Sequence, residues 1–149
     1  MKKFLFTFSL VVAFSSTQAQ SARDSLLATI NTFFEGLKKA DTALLRSSLS
    51  DNAVLQTVQE KGGKVSVRDE KISEFLGSIA GLPPGAADEK IEIGTVLVDA
   101  ALASVWTPYK FYFKEKFSHC GVNSFQLVRI NNLWKIQYII DTRRTTGCL

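Results

Sequence analysis

The sequence predicts an α+β domain in which helices come first and an antiparallel sheet follows. Up to about residue 80, apolar residues recur at the three- and four-residue spacing of a helix face. From Lys90 onward, apolar and polar residues alternate, which is the period of a half-buried strand. Helices followed by a long meander favour an arrangement in which the helices cover one face of a curved sheet.

Residues 1–19 have the three parts of a cleavable secretory signal peptide. Lys2 and Lys3 give a positive start, an apolar run over residues 4–14 follows, and Ala19 is the small residue at the cleavage position. The apolar run is shorter than the roughly 20 residues that span a bilayer. We therefore expect export to the periplasm or beyond the cell, with residues 20–149 forming a single domain.

The charge balance of the remaining chain is close to neutral. Loss of Lys2 and Lys3, the only charged residues of the leader, lowers the formal net charge from +4 to +2. The other basic residues form only short clusters such as Arg143-Arg144, whereas nucleic-acid binders present a basic face or stripe. We expect no nucleic-acid partner, and no membrane contact after cleavage.

Three helices are expected before the meander. Ser21 and Asp24 stand in a capping-box-like arrangement at the start of the first helix, which ends near Lys38-Lys39. Asp41 can cap a short second helix, and Asp69 opens a third. The buried face of the first helix is predicted to carry Leu26, Leu27, Ile30, Phe33, Phe34 and Leu37.

A small hairpin is expected between the second and third helices. Residues 54–58 and 65–67 are its strands, and Lys61-Gly62-Gly63-Lys64 makes the reversal. The antiparallel meander that follows is predicted to have four strands, at about residues 90–98, 102–114, 118–130 and 133–142.

The last hairpin permits a prediction of register. A two-residue turn at Asn131-Asn132 places Leu127 opposite Ile136 and Phe125 opposite Tyr138. A β-bulge would exchange the two faces on one side of it. Without a bulge, the face under the helices carries Asn123, Phe125, Leu127, Trp134, Ile136, Tyr138 and Ile140. The opposite face, mixed in character and suited to solvent or a partner subunit, carries Ser124, Gln126, Val128, Lys135, Gln137, Ile139 and Asp141.

The two cysteines are candidates for a disulfide. The same register places Cys120 opposite Arg143, five residues before Cys148, and Gly147 permits the turn that would bring the sulfurs together. An even pair of cysteines in an exported chain favours a bridge. The alternative is two unrelated thiols.

The layout of the chain and several segments in its last third resemble a known superfamily. These segments are Val105-Trp106-Thr107-Pro108-Tyr109, the run from Phe117 to Leu127, Trp134-Lys135-Ile136 and Asp141-Thr142-Arg143-Arg144. They are similar to exported bacterial proteins labelled SnoaL-like or lumazine-binding, in the nuclear transport factor 2-like (NTF2-like) superfamily. The resemblance implies a cone-shaped roll with an apolar pocket at its open end, often in a homodimer. It does not imply a reaction, because the superfamily includes both enzymes and binding modules.

Most catalytic and metal-binding signatures are absent from the sequence. It has no Gly-x-Ser-x-Gly nucleophile elbow and no phosphate-binding loop, and its single histidine cannot supply a His-Glu-x-x-His zinc motif. The isomerase-like members of the superfamily place a tyrosine on the first helix, where this chain has Phe33 and Phe34. We expect no metal and no cofactor.

His119 and Asp141 are the candidate acid–base residues. His119 is either a base or ligand contact near the pocket rim, or a histidine bonded to backbone at a strand start. Asp141 is either an ion-pair partner of Arg143 and Arg144, part of an anion-binding rim, or a general base if a bulge turns it inward. The candidate ligand-binding residues are Trp106, Tyr109, His119, Asn123 and Tyr138.

The leading hypothesis is a non-enzymatic domain that binds a small apolar or aromatic molecule in the pocket, because the concave face is rich in aromatic residues. One alternative is a cofactor-free isomerase, cyclase or dehydratase that uses His119 or Asp141. The other is a structural or interaction module that dimerises through the mixed face of the sheet.

Overall fold

The computed structural model describes residues 12–148, with side chains from residue 22 onward. The predicted cleavage site at Ala19 lies within its first helix, and residues 1–11 of the predicted signal peptide lie outside the described part. The helices are α1 (Val12–Lys39), α2 (Thr42–Ser48) and α3 (Ile72–Ala80). The strands are β1 (Leu49–Lys61), β2 (Lys64–Glu70), β3 (Ala87–Ile91), β4 (Val96–Asp99), β5 (Leu102–Phe113), β6 (Lys116–Ile130) and β7 (Leu133–Thr142).

The predicted α+β class is confirmed, with the helices packed on one face of a curved, unclosed sheet. Six strands lie in the order β2-β1-β7-β6-β5-β3, and β4 pairs with the remaining part of β5. All neighbours are antiparallel except β1 and β7, which run parallel, so the sheet is mixed. Among the described residues, no helix has both the length and the apolar character needed to cross a bilayer.

Helix α1 supplies the core face that the sequence predicts. Leu26 and Ile30 are fully buried, and Phe33 and Leu37 are 6% exposed. The helix begins earlier than predicted, at Val12 rather than near Ser21, because no glycine or proline interrupts the chain before Gly36.

The prediction for the second helix is confirmed, and that for the start of the third is wrong. Asp41 caps α2 by accepting a hydrogen bond of 2.9 Å from the Leu44 backbone N–H. Asp69 does not open α3. It lies in β2, where its carboxylate accepts a hydrogen bond of 2.7 Å from Gln56 of β1, and α3 begins at Ile72. Pairing with β1 therefore takes the place of helix capping at this position.

The hairpin of β1 and β2 has the predicted turn. Gly62 and Gly63 both have positive φ, of 59° and 75°, a conformation that glycine adopts without the strain of a side chain. Both strands are longer than predicted, because β1 also pairs with β7 and β2 pairs with β1 as far as Glu70.

The predicted strand at about residues 90–98 is wrong, because this segment forms two strands, β3 and β4. Both pair with β5, but Ile91 lies opposite Tyr109 and Val96 opposite Val105, so the registers differ by one residue. Pro108 lies in β5 at the break and has no N–H to donate to a neighbouring strand. The interruption in the edge strand therefore falls beside the one residue of β5 that cannot continue the ladder.

The register of the last hairpin is correct near the turn and wrong beyond a bulge. Leu127 pairs with Ile136, as predicted, but Gln126 pairs with Tyr138, which leaves Gln137 without an opposite residue. Beyond Gln137 the faces exchange. The residues that face the core there are Ile139 and Asp141, both buried, and the predicted pair Tyr138 and Ile140 is only half-buried on the other face.

A disulfide joins Cys120 to Cys148, with their Cα atoms 5.8 Å apart. The bulge shifts the residue opposite Cys120 from Arg143 to Arg144, and these two residues exchange both backbone hydrogen bonds at 2.9 Å. The predicted pairing of the cysteines is confirmed.

Candidate functional site

A cavity of about 80 Å³ lies between the helices and the concave face of the sheet. Its apolar wall consists of Phe33, Phe34 and Leu37 of α1, Leu55 of β1, Phe75 of α3 and Ile139 of β7. Its polar wall consists of Gln56 and Thr57 of β1, Glu70 of β2, Glu89 of β3, Asn123 of β6, Asp141 of β7 and the following Arg143. The side chain of Arg143 is 42% exposed, so the cavity opens towards solvent at this end.

The apolar wall is built from packed aromatic rings. Phe33 stacks on Phe75, with centroids 6.0 Å apart and planes 12° from parallel. Phe34 meets Phe33 edge to face at 5.3 Å and also contacts the fully buried Phe125 of β6. These contacts fix the rings, so the wall is formed before any ligand binds.

Glu89 is held on the polar wall by Asn123. The Asn123 amide donates a hydrogen bond of 2.7 Å to Glu89 Oε1 and a longer one of 3.4 Å to Thr107 Oγ1. Thr107 is fully buried and Asn123 is 6% exposed. An amide directed at a carboxylate from a buried position orients that carboxylate towards the cavity.

Asp141 is the second organised carboxylate of the polar wall. Its Oδ2 accepts a hydrogen bond of 2.8 Å from Arg143 Nε and lies 3.1 Å from the hydroxyl of Tyr109. The same hydroxyl lies 2.9 Å from the Thr142 carbonyl oxygen. Because a phenol has one proton, Tyr109 divides a single donor between these two acceptors.

The surroundings shift the protonation of three groups in and near the polar wall. Burial raises the pKa of Glu89 to about 7, and the negative charge of Asp141 adds to this rise, while the hydrogen bond from Asn123 opposes it. Burial, reinforced by Asp141 and Glu89, raises the pKa of Tyr109, so its hydroxyl stays protonated. Burial and the positive charge of Arg143 lower the pKa of His119. Glu89 is therefore a group on the cavity wall that exchanges a proton near neutral pH.

Solved structures of proteins from several bacteria have a fold similar to that of this chain. An NTF2-like protein of unknown function from Shewanella baltica superposes with a TM-score of 0.66 at 16% identity, covering 85% of this chain and 97% of that one. Another, from Methylobacillus flagellatus, superposes with a TM-score of 0.67 at 11% identity, over 84% and 94% of the two chains. This chain has the NTF2-like fold. A third structure with that fold, a suggested dehydratase from Streptomyces avermitilis, has a TM-score of 0.61 at 16% identity, over 86% and 99%.

Comparison of the sequence with known families and proteins gives no match. No family model matches the chain, and no curated protein matches it. The NTF2-like fold is therefore supported by structural similarity, which does not by itself define a function.

Of the residues proposed from sequence, Asn123 and Asp141 line the cavity of this NTF2-like fold, and Tyr109 lies directly behind Asp141. His119 does not line it. Its ring packs against Tyr109 and Phe111, with centroids 5.7 and 5.0 Å away, and its Nδ1 lies 3.0 Å from the hydroxyl of Ser118. The imidazole is thus bonded to a side chain beside the polar wall.

The other two candidates lie elsewhere. Trp106 is 51% exposed on the outer face of the sheet, in a separate groove with Leu97. Tyr138, displaced by the bulge, donates its hydroxyl proton to Gln56 Oε1 and does not line the cavity.

Glu70 and Glu89 line the cavity and were missed by the sequence analysis. The first strand of the meander is predicted to start at Lys90, which leaves Glu89 in a loop, and the predicted β1–β2 hairpin is too short to include Glu70. A signal for Glu89 is nevertheless present, because it alternates with Ala87 and Ile91, whose side chains pack in or against the core. Across the described residues, no group of three or more histidine, cysteine or acidic side chains is placed to hold a metal ion.

Proposed function

We propose that this protein binds a small, largely apolar or aromatic molecule in the cavity, as a binding module. The observation that carries the proposal is the division of the cavity into a wall of fixed aromatic rings and a wall of hydrogen-bonding groups. Pockets of this composition hold the ligand body by apolar contact and orient it through a few polar groups.

Calorimetric titration with 2-phenylethanol, a one-ring probe suited to a small cavity, tests the binding proposal. Phe75→Ala removes part of the aromatic wall and should weaken binding about tenfold, or about 1.4 kcal/mol. Phe117→Ala, which truncates a 46% exposed ring that does not line the cavity, is the matched control and should bind as the wild type does. Equal effects of the two substitutions would contradict binding in this cavity.

A second candidate function is cofactor-free acid–base catalysis, as in an isomerase, cyclase or dehydratase. It is favoured by the position of Asp141 on the cavity wall and by the pKa of Glu89 near 7, which suits a group that both accepts and donates a proton at neutral pH. The suggested dehydratase from Streptomyces avermitilis with this fold gives the reaction class to test first. Turnover that persists in both Asp141→Asn and Glu89→Gln would remove this candidate, and unchanged turnover in His119→Ala would exclude His119 from the mechanism.

Export and cleavage after Ala19 belong to the same proposal. The support from the described residues is the Cys120–Cys148 disulfide, since disulfides persist in oxidising compartments such as the periplasm. Residues 20–149 would then be the working domain.

We also propose that the domain forms a homodimer through the outer face of the sheet. Trp106 and Leu97 are 51% and 64% exposed there and line one groove, and large apolar side chains are costly to leave in water. Light scattering should give twice the monomer mass at micromolar concentration, and Trp106→Lys should give the monomer. A monomeric wild type would rule out this dimer.

A further inference from the structure

The polar wall of the cavity carries more negative than positive charge. Three carboxylates line it, those of Glu70, Glu89 and Asp141, against the single guanidinium of Arg143. Arg143 already bonds Asp141 at 2.8 Å. Glu70 forms an ion pair with Arg68, in which Nη2 and Oε2 lie 3.9 Å apart. With Glu89 ionised, the wall has an uncompensated negative charge facing the cavity.

The opposite wall is apolar. Phe33, Phe34 and Phe75 line it, and these rings suit the hydrocarbon or aromatic body of a ligand. A carboxylate on the ligand would meet Glu89 and Asp141 and be repelled. Both carboxylates already accept hydrogen bonds from the protein, but a purely apolar ligand would bring no positive charge to balance the negative wall. A ligand with an apolar body and a positively charged group complements both walls.

We propose that the ligand of this cavity is a small amine, whose ammonium group bonds to Glu89 and Asp141 while its apolar body packs against the phenylalanine rings. This inference rests on the binding function proposed above. The exposed end of the cavity at Arg143 accommodates any part of the ligand that extends into solvent. Arg143 itself, paired with Asp141, serves to hold that carboxylate in position.

Binding of an amine should be coupled to loss of a proton from Glu89. The groups around Glu89 are Asn123, Asp141 and Arg143, together with Tyr109, and Glu70 is a further carboxylate of the same polar wall. An ammonium group placed among them stabilises the ionised form of Glu89, so its pKa falls on binding. Affinity for the amine should therefore rise between pH 6 and pH 8, and binding at pH 7 should release about half a proton.

Three probes of one shape test the inference by calorimetry: 2-phenylethylamine, 2-phenylethanol and phenylacetate. At pH 8 the amine should bind at least tenfold more tightly than the alcohol, and phenylacetate should bind most weakly. Titration of the amine at pH 7 in two buffers of different ionisation enthalpy measures the proton released. Equal or tighter binding of the alcohol overturns the amine inference and leaves the binding function standing. Tighter binding of phenylacetate does the same and assigns the site to an anion held by Arg143.

Two substitutions test whether Glu89 is responsible for the preference for the amine. Glu89→Gln should bring the affinities for the amine and the alcohol within about threefold of each other and abolish proton release. Glu92→Gln, which neutralises an exposed glutamate outside the cavity, should retain both properties. An amine preference that survives Glu89→Gln overturns the assignment to Glu89. Failure of all three probes to bind the wild-type protein at millimolar concentration overturns the binding function and, with it, this inference. The comparison of the three probes on the wild-type protein tests the amine inference even if Glu89→Gln does not fold.

Discussion

Asn123 lies directly across from Asp141 in the β6–β7 pair, and both side chains face the cavity. This relationship exists because Gln137 is an extra residue in β7 with no partner in β6. Without it, Asp141 would fall on the outer face, away from Asn123. A single bulge thus places a carboxylate beside the amide that holds Glu89, and so assembles the polar wall.

The ionisation of Glu89 should make the protein less stable as the pH rises. Its pKa is about 7 in the folded protein against an ordinary value of 4.5, so the folded state binds the proton more tightly than the unfolded state. The stabilisation by this proton is complete below pH 4.5 and is lost as the pH rises through 7. The free energy of unfolding falls by up to about 3 kcal/mol over this range.

Urea unfolding at pH 5 and pH 8 measures this effect on the free energy of unfolding. Glu89→Gln cannot ionise, so it should lose less stability between these two pH values than the wild type does. Glu92→Gln serves as the control and should follow the wild type. Parallel losses in Glu89→Gln and the wild type would show that Glu89 is not the group responsible.

Gly121 should not tolerate a side chain. A Cβ at this position would lie 1.7 Å from the Thr142 carbonyl oxygen, the atom that accepts a hydrogen bond from Tyr109. Gly121→Ala should therefore destabilise the fold by about 3 kcal/mol or more, since the obstacle is backbone. Gly77→Ala in α3, where a Cβ meets nothing within 4 Å, should stabilise the protein by about 0.5–1 kcal/mol. Thermal unfolding measures the stability of both variants. Equal melting temperatures for Gly121→Ala and Gly77→Ala would contradict this prediction.

Reduction of the disulfide should lower stability without changing the fold. The bridge spans a sequence separation of 28 residues, which corresponds to about 3.5 kcal/mol on the loop-entropy model. Urea unfolding with and without dithiothreitol measures the difference. Cys148→Ser should be as unstable as the reduced wild type and insensitive to the reductant, and a reductant effect that persisted in this variant would point to another cause.

The exported protein should begin at Gln20. Intact mass of protein recovered from the periplasm or the medium should correspond to residues 20–149, less two hydrogens for the Cys120–Cys148 bridge. A thiol reagent should add nothing to this protein before reduction and two labels after it. A mass that retains residues 1–19 would contradict cleavage of the signal peptide.

The local elements follow closely from the sequence. The face of α1 with Leu26 and Ile30, the cap at Asp41 and the turn at Gly62-Gly63 were all predictable, because spacing, capping and positive φ act over a few residues. The order of helices and meander was sufficient to predict the α+β class.

The polar wall depended on contacts between distant segments. Gln137 has no sequence signature of a bulge, yet its place in β7 decides whether Tyr138 or Asp141 faces the cavity. Glu89 reaches the wall because β3 pairs with β5 and Asn123 lies two strands away on β6. Sequence alone therefore determined the class and the buried face of α1, which supplies Phe33 and Phe34 to the cavity. The aromatic residues predicted on the sheet, Trp106 and Tyr138, do not line it. Only the tertiary structure decided its charged side, because β-strand register is set by partners far along the chain.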